Sequence, residues 1–219
     1  MTQRTSTGWL LASGVIGPLL LVVVFSIEGA IRPDYDPKRV FVSQLSLGEG
    51  GWLQIANFVI SGLLIVAFAF GLRRVMSSGQ TSRWGPILIG LVGLGLIVSG
   101  VFVTDPALGY PPGTPRGLTQ HPTLHGSIHL LGALLVFAGL PIASFVFARH
   151  FQAQSDRHWA RYSVATGIGM LAVFGAANLG ANGLAGLGDL AGALQRLAVL
   201  IGFGWIVALA ARFAVAPGR

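Results

Sequence analysis

Six stretches of this chain are each apolar for about the 20 residues that a helix needs to cross a bilayer core of about 30 Å, and no other feature constrains the fold as much. They run near Gly8 to Ile27, Trp52 to Leu72, Gly85 to Val103, Pro122 to Phe147, Tyr162 to Leu179 and Gly192 to Ala211. Only 10% of the 219 residues are charged, and those sit between the apolar runs. So few charges cannot coat a water-soluble globule of this size. The expected fold class is therefore all-α: one polytopic membrane domain over residues 1–219, multi-pass in the cell membrane, with the lipid bilayer as its solvent. The first run is too long for the apolar core of a cleaved signal peptide. Its Gly17 and Pro18 predict a kink rather than an end.

Local chemistry agrees with the hydropathy at several boundaries. Pro86 and Pro122 each suit the first helical position, where a missing amide hydrogen costs nothing. Asp36-Pro37-Lys38-Arg39 reads as a cap followed by proline and predicts an interfacial helix over about 36–47, stopped by Gly48. Glycine is abundant, at 32 residues. Small residues let membrane helices approach closely, so Gly90, Gly93, Gly95, Ser99 and Gly100 predict a tightly packed third span. A second glycine cluster, from Gly180 to Gly192, reads as a flexible loop, with a re-entrant turn as the alternative.

The formal charge of +7 would raise nucleic acid as a partner in a soluble domain. Here the basic residues lie in short loops rather than on one face, which excludes that reading and makes them a topology signal. With the N-terminus inside, nine Lys and Arg fall on the inner side and five on the outer. Both termini are expected in the cytoplasm. Cysteine is absent, which excludes disulfides, thiolate nucleophiles and cysteine metal sites. The single lysine, Lys38, is placed in a loop, so a retinal Schiff base inside the bundle is not expected. Facing histidines for bis-histidine haem and a phosphate-binding glycine loop are missing as well.

Ionisable groups at membrane depth are expensive and suggest function. This chain gathers them at the expected outer side, where Glu28 ends the first span and Asp105 follows the third. His125 and His129 open the fourth span and Arg196 opens the sixth, with Asn178, Asn182 and Gln195 near them. His125 and His129 are four residues apart, hence on one helical face, and could share a zinc ion with Asp105, or with Glu28 as second choice. A fully helical His121 would lie about 12 Å along the axis from His129, but Pro122 biases it out of the helix and its ring could fold back. The plainer alternatives are structural. Histidines commonly hydrogen-bond across helices, Arg196 could pair with Asp105 or Glu28, and Ser43 and Ser46 could simply turn the first loop. Asp105, Glu28 and Ser43 are the candidate catalytic groups. Ser43, Ser46, His121, His125, His129 and Arg196 join Glu28 and Asp105 as candidate ligand contacts.

Three motif groups carry a family resemblance: Pro33-Asp34-Tyr35-Asp36-Pro37; Ser43-Gln44-Leu45-Ser46-Leu47-Gly48 with Gly51-Trp52-Leu53-Gln54 and Asn57-Phe58; and Gly100-Val101-Phe102-Val103-Thr104-Asp105-Pro106 followed by His125-Gly126. Together they resemble the bacterial and archaeal membrane proteins catalogued as domain of unknown function 998. That resemblance implies a six-helix integral membrane protein with these residues on one side, and no activity to carry over. A much looser similarity is to zinc-dependent membrane hydrolases of the alkaline ceramidase type, which combine a serine, an aspartate and three histidines. Ser43 or Ser46, Asp105, His121, His125 and His129 supply the residue types. Those hydrolases have seven spans and draw histidines from different helices, whereas all three outer histidines here lie in or just before the fourth span.

Three functions follow as expectations. The first is a membrane protein whose outer-facing polar pocket binds a lipid-like molecule or a partner's helix. The second is an intramembrane enzyme acting by metal-assisted hydrolysis or acid-initiated isomerisation. The third is a proton-coupled transporter, ranked last because the inner half has almost no intramembrane charge.

Overall fold

A computed structural model of the chain describes residues 2–76 and 80–215. The described residues form seven α-helices and no strand: α1 (Thr2–Ile31), α2 (Gly51–Val75), α3 (Gln80–Val101), α4 (Leu124–Phe137), α5 (Gly139–Ala153), α6 (Arg157–Ala181) and α7 (Ala191–Val215). Among them are six spans long and apolar enough to cross a membrane, with α4 and α5 counting as one over Leu124–Ala153. The chain is a multi-pass membrane protein.

The broken span has a local cause. Pro141 lacks the amide that would reach the carbonyl of Phe137, and its ring crowds that carbonyl. The ladder therefore lapses for one residue at Ala138, although Ala138 N still donates to Leu134 O (2.9 Å) and Ile142 N to Ala138 O (3.2 Å). Pro18 does not interrupt α1, as expected. Pro86 departs from expectation: α3 begins six residues earlier, at Gln80, and carries the proline inside. Pro122 also lies outside its helix. The cap is Thr123, whose Oγ1 accepts from Gly126 N at 3.0 Å.

Helices follow one another around the bundle in the order α4, α3, α2, α1, α7, α6. The predicted glycine packing of α3 is present on two sides. A Cβ on Gly93 would stand 2.7 Å from Gly62 O of α2, and one on Gly95 would stand 2.6 Å from Gly132 O of α4. The ring closes unevenly. Next to the Arg149 end, α5 packs firmly on α6, whereas α4, at the opposite end, scarcely touches α6. A stacked pair, Phe137 of α4 on Phe174 of α6 with centroids 3.8 Å apart, bridges the seam.

The opposite end is covered by two loops, 32–50 and 102–123, and is called the polar end below. The interfacial helix expected over 36–47 is not continuous. Asp36 does cap a turn, its Oδ1 accepting from Lys38 N at 3.0 Å, and its carbonyl accepts from Val40 N at 2.8 Å. The chain then extends at Phe41 and re-forms only a 3₁₀ turn, Val42–Ser46. The physical reason is packing: Val40, Val42 and Leu45 are all buried, and no single helical face would bury them together with Tyr35. The glycine-rich connection after α6 is likewise not re-entrant. It is a run of turns and one short 3₁₀ segment, Gly188–Leu190, leading straight into α7.

Candidate functional site

The polar end is organised by the first turns of α7. Gly192 lets the loop backbone lie on the helix, since a Cβ there would stand 2.4 Å from Val40 O and 2.7 Å from Pro37 O. Ala193 N, an amide with no partner inside its own helix, donates to Lys38 O at 2.7 Å. Gln195 accepts from Val42 N at 2.8 Å. Arg196 donates to Pro37 O (2.6 Å), Val40 O (2.9 Å) and its own helix at Gly192 O (3.1 Å), and also to the Tyr35 hydroxyl. Its guanidinium lies 5.5 Å from the centroid of the Tyr35 ring. Burial pushes the Tyr35 phenol up to about 12, against the opposing pull of Arg196. Arg196 pairs with neither Asp105 nor Glu28, contrary to expectation. Five fixed donors suit a cluster of loop carbonyls as well as a carboxylate.

Glu28 takes a different basic partner. Arg32, one turn on, donates to Glu28 Oε1 at 2.9 Å, to Gly50 O at 3.1 Å and to Glu49 O. This pair ties the end of α1 to the turn that starts α2, where Gly50 holds a φ of 80°. Asp105 serves the start of α4. Its Oδ2 accepts from Thr123 N (2.8 Å) and its Oδ1 from Thr123 Oγ1 (2.7 Å). A negative charge belongs there, at the positive end of the helix dipole. Gly126 provides the room, because a Cβ would sit 2.0 Å from Asp105 Oδ2. Gln44 then joins the two loops, donating to Asp105 O and accepting from Ala107 N, both at 3.0 Å.

His129 is the buried histidine, 3% exposed. Its Nδ1 stands 3.0 Å from Ser99 O and 2.9 Å from Phe102 O, two carbonyls left open at the end of α3. Carbonyls only accept, so Nδ1 carries a proton, and in the neutral imidazole Nε2 is then the acceptor. His125 is exposed, with its ring edge-on to Phe102 at 5.5 Å, and His121 is exposed beyond the helix. Among the described residues no three His, Asp or Glu side chains stand together as a metal-binding group. Ser46 is a turn residue, its hydroxyl donating to Ser43 O at 2.6 Å.

Two cavities meet at these residues. The inner one, about 60 Å³, lies among apolar side chains such as Phe25, Phe58, Val199 and Phe203. The outer one, about 180 Å³, lies beneath the loops and along the α4–α6 seam, and includes Asp105, Gly126, Phe174 and Asn178. Ser43, His129, Ala133, Phe137 and Gln195 line both. Of the residues expected at the site, Ser43, Asp105 and His129 come together here. Glu28, Ser46, His121, His125 and Arg196 line neither cavity.

The description Protein of unknown function (DUF998) matches residues 15–212 of the chain, nearly its whole length. The chain belongs to this family. No curated protein and no solved structure matches it. The motif segments that carry the DUF998 resemblance fall on the polar end of this fold. Pro33 to Pro37 is the loop that α7 holds, Ser43 and Gln44 adjoin the cavities, and Asp105 and Gly126 hold the Thr123 cap of α4. Sequence reasoning missed Gln44, Thr123 and Gln195 as organisers of the site. Thr123 had a readable signal, a hydroxyl residue just after proline and ahead of an apolar run. Gln44 was legible as part of a motif segment and Gln195 as a polar residue of the outer side, but their partners, 61 and 153 residues away, were not.

Proposed function

We propose that this DUF998 protein binds an amphipathic, lipid-like molecule that reaches the bundle through the seam between α4 and α6. The observation that carries the reading is the pair of contiguous cavities, both lined mainly by apolar side chains, that share the buried polar His129 and Gln195 at their junction. An amphipath suits such walls, since binding sites in helical bundles are commonly mostly apolar with a few placed polar groups. The seam supports lateral access: Leu130 and Leu134 on α4 are exposed, hence lipid-facing in a membrane. The motif residues gathered at the polar end support a common use for that end within the family.

The test is a cavity-filling variant. Ala133 lines both cavities, and Ala133→Phe would occupy their junction. Purified wild-type protein should release a bound single-chain lipid in native mass spectrometry, and folded Ala133→Phe protein should release at least tenfold less. Equal occupancy in the two proteins, or none in either, overturns the reading.

A further inference from the structure

The groups facing the cavities also restrict the head of such a ligand, an inference that rests on the binding reading above. No lysine or arginine lines either cavity. Arg196 adjoins Gln195 in sequence, but its guanidinium is taken up by three carbonyls and the Tyr35 hydroxyl. Arg32 is occupied by Glu28 and the turn before α2. Arg39, whose Nε is buried without a hydrogen-bond partner, lies against Gly109 in the second loop and lines neither cavity. The one charged group on the cavity walls is the carboxylate of Asp105, and both its oxygens already accept from Thr123. A phosphate or carboxylate head would lose its hydration, meet no cation and face a like charge.

What remains is a neutral set of donors and acceptors. His129 Nε2 accepts, as Nδ1 is the protonated nitrogen. Asn178 donates through Nδ2 to Phe174 O at 2.8 Å, leaving its carbonyl as an acceptor. Gln195 accepts from Val42 N, leaving its amide group as a donor. The Ser43 hydroxyl can act either way. A hydroxyl matches this set because one atom both donates and accepts. We propose that the ligand is an uncharged, hydroxyl-headed lipid, its oxygen placed among His129, Gln195 and Ser43, and not a phosphate- or carboxylate-headed lipid.

Four probes of equal chain length test this: decan-1-ol, decanoate, decyl phosphate and decylamine, each titrated against full-length protein in neutral-lipid nanodiscs with the melting temperature as readout. Decan-1-ol should raise the melting temperature at concentrations at least tenfold below those the two anionic probes require, and Ala133→Phe should abolish the shift. It should also act below the concentrations decylamine requires, whose ammonium can only donate and leaves the Gln195 amide group without an acceptor. Because His129 also joins α4 to α3, the side-chain test is Ser43→Ala, expected to weaken decan-1-ol about threefold by losing one neutral hydrogen bond. A charged probe that binds as well as or better than decan-1-ol, in an Ala133-dependent way, overturns the head-group inference and leaves the binding reading standing. If no probe gives an Ala133-dependent shift, both fall.

Discussion

At the residue scale, two buried side chains at the polar end have separable roles. His129 bridges the open carbonyls of Ser99 and Phe102 through one N–H. His129→Ala should lower stability by about 1 kcal/mol or more, because it leaves those carbonyls short of a donor. His129→Asn, whose side-chain amide nitrogen falls near the place of Nδ1, should recover part of the loss. Thermal unfolding in detergent reads both. Tyr35 predicts a pH effect. Its phenol titrates at about 12 in the folded chain and near its ordinary value of 10.0 when unfolded, so the folded state holds this proton more tightly. The contribution is complete below pH 10.0 and is lost as pH rises towards about 12. Over that alkaline interval wild-type stability should fall, and in Tyr35→Phe this part of the fall should vanish. Equal alkaline slopes in the two proteins would remove Tyr35 as the cause.

At the element scale, close helix and loop contacts hold the polar end together. Gly192 places the start of α7 directly under loop backbone, where no flexible side chain can give way. Gly192→Ala should therefore destabilise by about 1–3 kcal/mol through overpacking, and should increase hydrogen exchange or proteolysis in the 35–42 loop before the bundle melts. Gly204 is the matched control, in the same helix with open space at the Cβ position. Gly204→Ala should be neutral or mildly stabilising, since alanine is the better helix former. Matching losses from the two substitutions would show that α7 is sensitive along its length rather than at the loop contact.

At the scale of the whole molecule, the distribution of basic residues sets the orientation. Arg149, Arg157 and Arg161 are exposed at one end, while at the other Arg32 and Arg196 are engaged inside the protein. The excess of nine basic residues over five predicts cytoplasmic termini with the polar end outside. The natural absence of cysteine makes the test clean. In intact cells a membrane-impermeant maleimide should label Glu49→Cys, in the exposed turn before α2. Gln154→Cys, between α5 and α6, should react only after permeabilisation. The reverse pattern would invert the topology.

Spans of lipid-facing helix, close glycine packing and a polar layer at one end were all legible in the sequence. Each depends on local composition: a run of apolar residues must lie in lipid, and a glycine in such a run permits close approach. The site was legible only in outline. His129 and His125 share one helical spacing, yet one is buried under α3 and the other exposed, because burial depends on what the neighbouring helix covers. Arg196 was recognisable as a membrane-depth charge, but not as a clamp on carbonyls 156 and 159 residues away. Local patterns such as apolar runs and caps specified the elements of this protein. The α4–α6 seam and the partners of its buried polar groups were decided only when distant segments packed together, since any buried donor or acceptor takes whatever complementary atom the fold brings within reach.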